Sequence, residues 1–373
     1  MRRAFLLAAV AASCSMPGRE PPPFERMPVS EISGFQSADL LPAARVMVSS
    51  CHWLTEKTPS LGTNADWQPV CDEAATLTTE EEARTYFETR FDAVKLEGGE
   101  GLVTGYFEPV FNARTDASAP FTAPVLARPD DLVAVDLGSF RDDLSGRRIA
   151  GRVENGRLVP YADREEIDIA PPSDVPVLGY MQPDDLFFLQ IQGSGVLDFG
   201  EKARRIGYAA QNGHPYKAIG KTLVEEGHMP LEEVTMQSIR QWLADASPEE
   251  AARVRATNPS YVFFIDRGEA SGDEGPLGTA AVPLTTDVSV AVDRTRIPLG
   301  APVFLQGADE VIELNRLTIA QDTGGAIRGP GRVDLFLGRG DEAGETAGRL
   351  KLETAITVLI PKTVRLPGED AGV

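Results

Sequence analysis

Three short stretches of this chain place a carboxylate beside glycines at the end of an apolar run. They are Gln190-Ile191-Gln192-Gly193-Ser194-Gly195 with Asp198, Val292-Asp293-Arg294 with Ile297-Pro298-Leu299-Gly300, and Gln321-Asp322-Thr323-Gly324-Gly325-Ala326-Ile327 with Asp334. Glycines at such points let backbone approach a bulky ligand closely, and a neighbouring acid then reaches the ligand's polar atoms. The bland alternative is an Asx-turn, in which the Asp side chain hydrogen-bonds its own backbone, and for any one Asp out of context the turn is the default.

Familiar motifs that these stretches superficially copy are excluded on physical grounds. Asp322-Thr323-Gly324 has the tripeptide of aspartic peptidases, but that chemistry needs two such loops sharing one proton and the chain has a single copy. Gln192-Gly193-Ser194-Gly195 lacks the G-x-S-x-G spacing of a nucleophile elbow. Gly193 and Gly195 lack the third glycine and the following helix of a dinucleotide fold.

The elements that must hold these residues are read from periodicity. Helical spacing predicts helices near Ala43 to Leu54 and Thr79 to Phe91, where Tyr86, Phe87 and Phe91 are core aromatics. From Gly101 the chain changes to short alternating or apolar runs broken by Gly, Pro and Asp, beginning with Leu102-Val103-Thr104-Gly105-Tyr106-Phe107-Glu108-Pro109. Further strands are expected at Leu158 to Tyr161, Val175 to Tyr180 and the run Leu186-Phe187-Phe188-Leu189-Gln190-Ile191. Helical spacing returns in three short helices between Ala203 and Arg255, and from Val282 onward the pattern is again β. Many short strands close most naturally into a barrel or sandwich.

The 373 residues exceed one average domain, so two domains or one with a large insertion are expected. A net charge of -20, with scattered Lys and Arg, would repel phosphate backbones and argues against nucleic acid as a partner. Met1-Arg2-Arg3 followed by the apolar run Ala4 to Ala12 reads as a secretory signal, too short to span a bilayer, which takes roughly 20 apolar residues. Ala11-Ala12-Ser13 leads into Cys14 and resembles a lipobox, although Ala11 stands where Leu is usual, so lipidation of Cys14 and ordinary cleavage near Ala12 are both open. Residues 15–35, rich in proline, read as a tether. In an oxidising compartment Cys51 and Cys71 form either a disulfide or two buried thiols. The three histidines have no ligand spacing with the cysteines, so no metal site is expected.

In order and combination, the segments Gly105 to Pro109, Pro160-Tyr161 with Arg164 and Ile167, Asp185 to Gly195, Asn258 to Phe264, Asp293 to Gly300 and Ala320 to Gly340 make the sequence similar to the membrane-bound lytic murein transglycosylase A family. The resemblance implies a mainly β protein: a double-psi β-barrel catalytic domain, a second β-rich inserted domain forming the other wall of a groove, and several short helices. Signal and lipobox then occupy residues 1–14, the tether 15–35, the first part of the catalytic domain 36–114, the insertion 115–265 and the barrel part 266–373. It places the catalytic aspartate at Asp334 and a supporting one at Asp322, although the stretch Gly329-Pro330-Gly331-Arg332 is a residue longer than the usual spacing between them. Asp198 and Asp293 match two further family aspartates. Gln190, Gln192, Gly193, Ser194 and Tyr106 are candidates for sugar contact, with a core role equally open for Tyr106.

The implied reaction is cleavage of peptidoglycan glycan strands without water. The muramic C6 hydroxyl attacks C1, so one carboxyl can give a proton and then take one back. Asp334 must start protonated, and Val333, Leu335, Phe336 and Asp322 are the neighbours expected to keep it so. A monomeric lipoprotein on the periplasmic side of the outer membrane is expected, or a protein of the periplasm if Cys14 is not lipidated, with other cell-wall enzymes as further candidate partners and no need of metal or organic cofactor. The alternative is a noncatalytic peptidoglycan-binding envelope lipoprotein.

Overall fold

A computed structural model describes residues 24–57, 59–96, 101–270, 274–308 and 313–366. The signal segment 1–14 with Cys14, and the first part of the expected tether, lie outside the described residues. Among the described residues no helix is long and apolar enough to cross a membrane. The chain is mainly β with short helices, and its contacts divide it into two units.

The first unit takes Met1–Leu102, Val292–Val333 and Leu352–Val373. Three helices, Leu41–Thr55, Asn64–Ala74 and Glu80–Arg90, bury Trp67, Tyr86 and Phe87 against Phe91. Thr63 with Asp66 and Thr79 with Glu82 form capping boxes that satisfy the first amides of the second and third helices. A disulfide joins Cys51 in the first helix to Cys71 in the second; a closed loop of this length stabilises by about 3 kcal/mol in the chain-entropy account. The unit's strands run antiparallel in the order Phe24–Pro28, Phe91–Leu96, Lys351–Pro361, Pro302–Ala308, Glu313–Asp322.

The first of those strands corrects the expectation of a tether over 15–35. Phe24 to Pro28 pairs residue by residue with Asp92 to Leu96, Arg26 donates to the Asp92 carboxylate, and Val29, Ile32 and Phe35 are buried. Prolines at 21 to 23 give the segment a linker composition, but the apolar residues that follow have a sheet edge and a core to fill.

The second unit takes Val103–Ala291 and Asp334–Lys351. Its strands include the neighbours Ser289–Ala291, Arg332–Arg339 and Gly101–Glu108, and a four-stranded sheet ordered Val262–Glu269, Ala203–Gln211, Ser194–Asp198, Val110–Asn112. A three-stranded antiparallel sheet is made by Val133–Asp136, Arg148–Glu154 and Arg157–Val159.

One element departs from its expected type. Leu186 to Ile191, expected as a strand, lies in the helix Pro183–Gln192. Pro183 at its start, Asp184 and Asp185 in its first turn and Gly193 as a left-handed cap are all helix signals. Leu186 to Gln190 are buried without interruption, and a short element buried all round carries no period that separates helix from strand. Helices Asn64–Ala74, Arg164–Ile169 and Gly340–Arg349 lie where the apolar spacing indicates none.

Candidate active site

Asp334 is the third residue of the strand Arg332–Arg339, half-buried and opposite Ala291 of the buried strand Ser289–Ala291. Side chains alternate across a strand, so Val333 and Leu335 point into the core while Asp334 and Phe336 share the other face. This revises the surroundings expected of Asp334: of its three apolar sequence neighbours only Phe336 lies on its side. On the neighbouring strand Thr104 and Tyr106 are likewise two residues apart. The Thr104 hydroxyl donates to Asp334 Oδ1 at 2.7 Å, and the Tyr106 ring lies 5.3 Å from the Phe336 ring, tilted by 53°. Two rungs are thus built side by side, one polar and one aromatic. The polar rung fixes the orientation of the carboxyl.

The strand ends are clamped by charge. Glu108, whose side chain is only 1% exposed, receives Arg205 Nε and Arg339 Nε, the latter at 2.9 Å. Both arginines also donate through Nη2 to the Glu274 carbonyl at 2.8 Å. A carboxylate this deeply buried is tolerable only when its charge is met and its lone pairs are filled. Glu108 closes the strand that carries Thr104, and Arg339 closes the strand that carries Asp334, so the triad holds the two in register.

Tyr106 opens onto a cleft of about 790 Å³, lined also by Gln192, Ser194, Phe188 and Arg240. Arg240 lies 4.1 Å over the Phe188 ring and donates to Asp185 at 3.0 Å, so the wall combines aromatic faces with planar polar groups. The helix Gly340–Arg349 forms another part of it through Asp341 and Glu345. Gly344 is required there, because a Cβ would meet the Phe107 ring at 2.8 Å. A second cavity of similar volume, lined by Arg164, Asp168, Arg255 and Tyr261, includes none of the expected site residues.

The structure separates the remaining candidates. Gln192 and Ser194 line the cleft, and Gly193 between them caps the helix with φ 80° while its N–H reaches the Leu189 carbonyl. Gln190 is turned inward at 5% exposure, its amide donated to the Val262 carbonyl at 3.2 Å, so it stands in the core rather than the cleft wall. Asp198 accepts the Gly200 N–H at 2.7 Å, the turn arrangement weighed against a ligand role, and does not line the cleft.

Asp293, 7% exposed, accepts Thr295 Oγ1 at 2.7 Å, Thr295 N at 3.0 Å and Gly329 N at 2.9 Å. The Gly329 N–H, followed by the Thr295 hydroxyl, holds its carboxyl below the usual range. It therefore ties the turn after Val292 to the loop that leads into the Arg332–Arg339 strand. Asp322 ends the strand Glu313–Asp322 half-buried, with Oδ1 accepting the Thr323 N–H at 2.9 Å.

Thr104, Arg240 and the Glu108 triad are the site residues that sequence reasoning missed. Thr104 was open to discovery, since it alternates with Tyr106 in a segment already singled out. The other groups are joined only by strand pairing and packing between distant stretches.

The family model of the MltA specific insert domain matches residues 102–265, and that of the 3D domain matches residues 288–360. Membrane-bound lytic murein transglycosylase A of Escherichia coli (strain K12) is 34% identical over 272 residues, covering 69% of this chain and 66% of that protein. The chain thus spans just under two thirds of the length of that relative. The crystal structure of MltA from Neisseria gonorrhoeae superposes with a TM-score of 0.80 at 32% identity, covering 92% of each chain. That of E. coli MltA with bound chitohexaose gives 0.58 at 27% identity, covering 89% of this chain and 90% of that one. With this degree of likeness over nearly its whole length, the chain belongs to the MltA family.

Proposed function

We propose that the protein is a lytic transglycosylase. It cleaves the β-1,4 bond between N-acetylmuramic acid and N-acetylglucosamine in peptidoglycan, leaves 1,6-anhydromuramic ends, and works from chain ends as a carbon–oxygen lyase. The observation that carries this reading is the pair of rungs Thr104–Asp334 and Tyr106–Phe336, with Tyr106 facing the cleft. Relatives named lytic murein transglycosylase, and one crystallised with chitohexaose, support a glycan in that cleft.

In the first step Asp334 gives its proton to the leaving glycosidic oxygen as the C1–O bond breaks. In the second the muramic C6 hydroxyl attacks C1 and passes its proton to the Asp334 carboxylate, which restores the acid. The nucleophile is built into the substrate, so no second carboxylate has to activate water, and the intramolecular attack gains a large effective concentration. Thr104 holds the carboxyl plane through both proton transfers. Tyr106 offers an aromatic face to a sugar ring, and Gln192 and Ser194 offer hydrogen bonds. Asp322 supports the charge balance of the reaction on the strength of the family resemblance alone.

The same reading takes the catalytic domain, residues 36–114 and 266–373, as a double-psi β-barrel, with 115–265 as the inserted domain. It places a monomer on the periplasmic side of the outer membrane, held through Cys14. The test is to incubate the purified protein with cell-wall sacculi and analyse released fragments by mass spectrometry. Fragments ending in 1,6-anhydromuramic acid are expected, whereas binding without release would make the protein a noncatalytic glycan binder.

A further inference from the structure

The second cavity, of about 790 Å³, lies wholly within the second unit and contains no residue that the proposed reaction uses. Two segments singled out in the sequence, Pro160 to Ile167 and Asn258 to Phe264, meet beside it. Arg164 of the first donates through Nε to the Asn258 carbonyl at 3.0 Å and through Nη2 to the Ser260 carbonyl at 2.6 Å. Its guanidinium lies 4.7 Å from the centre of the Phe187 ring and 5.3 Å from that of Tyr261. Arg164 is only 3% exposed, yet it forms no ion pair among the described residues, and Nη1 has no acceptor there. Burial draws its pKa below the usual range, and the nearby Asp168 only partly opposes this. A buried cation normally has an anion against it, since backbone carbonyls alone do not replace the water it gives up. Arg164 lines the cavity, so that is where an anionic ligand meets it.

The charges of the cavity are sorted by depth. Arg164 and Arg255 are buried, the latter already paired with Asp184, whereas Glu165, Asp168 and Glu249 line the same space and are exposed. Such an acidic rim disfavours a ligand that is anionic throughout, such as a phosphate. It suits one with a carboxylate at its inner end and an ammonium at its outer end. Ile167, Leu186 and Pro124 supply an apolar wall for the aliphatic part between them. A short peptide with free carboxylates and a side-chain amine has this order of charges, and the peptide stems of peptidoglycan are of that kind.

The position of the cavity fits the same occupant. Pro183 and Leu186 of the helix Pro183–Gln192 line it, while Asp185, Phe188 and Gln192 of that helix line the cleft. A helix with its side chains is about 10–12 Å across, and four extended residues span about 13 Å. A stem of that length is comparable to the wall that separates the two spaces. We propose that the cavity is a second substrate site that takes a peptide stem of peptidoglycan, with a stem carboxylate on Arg164 and the free amine of the stem among Glu165, Asp168 and Glu249. The identity of the peptide rests on the peptidoglycan reading above, whereas the order of charges in the site does not.

The test is titration calorimetry on the full chain with N-acetylated L-alanyl-γ-D-glutamyl-diaminopimelyl-D-alanine, alone and with excess chitohexaose offered to the cleft. One peptide should bind per chain, with an affinity that chitohexaose leaves unchanged. Converting the carboxyls to methyl esters, or acetylating the remaining amine, should each weaken binding by about tenfold or more, as for loss of a hydrogen bond to a charged group. Arg164→Gln should weaken it by a similar factor. Because Arg164 also braces the backbone, Ala252→Trp is the second variant: Ala252 lines the cavity, is exposed and takes no part in that bracing. The indole should obstruct the site and weaken peptide binding with the melting temperature unchanged. No peptide binding, displacement by chitohexaose, equal affinity for the ester or acetylated form, or full affinity in a folded Ala252→Trp chain would each overturn the proposal. A chain that binds the peptide but releases no anhydro-fragments would overturn the lyase reading alone, and one that releases them without binding the peptide would overturn this site alone.

Discussion

Asp334 and Asp293 are both aspartates near glycines after an apolar run, yet the two regions use them in opposite ways. Around Asp293 the carboxylate is consumed by the local backbone: Thr295 and Gly329 amides and the Thr295 hydroxyl fill its oxygens, and it is buried. Around Asp334 a side chain on another strand supplies one of its hydrogen bonds, and the carboxyl is half-buried next to a rung whose aromatic faces a cleft. A carboxylate saturated by amides is locked in its charged form and builds a loop. One oriented by a side-chain hydroxyl on a rigid strand keeps its direction, which is what the proposed proton transfers require of Asp334. Residue type and neighbouring glycines do not distinguish the two cases; burial and the long-range contact with Thr104 do.

The contrast is tested most directly at position 334. Asp334→Asn should lower release of anhydro-fragments by about 10²–10⁴-fold, the usual contribution of a positioned acid and base, while the thermal melt stays near wild type. Near-normal release from a folded Asn variant would remove Asp334 from the chemistry.

Asp293→Ala should show the converse, a loss of stability by about 1–3 kcal/mol from unsatisfied donors, measured by urea unfolding. Its pH dependence has a fixed sign. The native carboxyl is held below its unfolded value, so its contribution is fully present above about pH 4 and is lost as pH falls through the native pKa. The stability gap between wild type and variant should therefore narrow in acid; a gap that is constant with pH would mean the charge is not what holds the loop.

Thr104→Val keeps the shape of the side chain and deletes one hydrogen bond worth about 1 kcal/mol, so kcat should fall roughly five- to tenfold with KM little changed. A change confined to KM would make Thr104 a substrate contact rather than a support for Asp334. The smallest effect belongs to Asp198→Asn, because an amide oxygen can still accept the Gly200 N–H. Activity and melting temperature should both stay close to wild type, and a large loss of activity would return Asp198 to the site.

Much of the fold was legible because it is written in local periods. The helices at 41–55 and 80–90 and most strands after residue 101 follow from apolar spacing and turn residues. Where every side is buried the period vanishes, which is why Pro183–Gln192 resembles a strand until its caps are weighed. Likewise the prolines at 21–23 conceal that Phe24 to Pro28 is a strand, since pairing with residues 92–96 is a long-range fact.

Chain order alone supplies an inventory: which segments alternate, where the glycines and aspartates fall, and the family pattern that singles out Asp334. Which donors each carboxylate meets is decided only when the strands pair. Thr104 lies 230 residues before Asp334, Gly329 lies 36 after Asp293, and Gly200 is two from Asp198. Hydrogen bonds act over about 3 Å of space whatever the distance along the chain, so equal local sequences become different chemistry in the folded molecule.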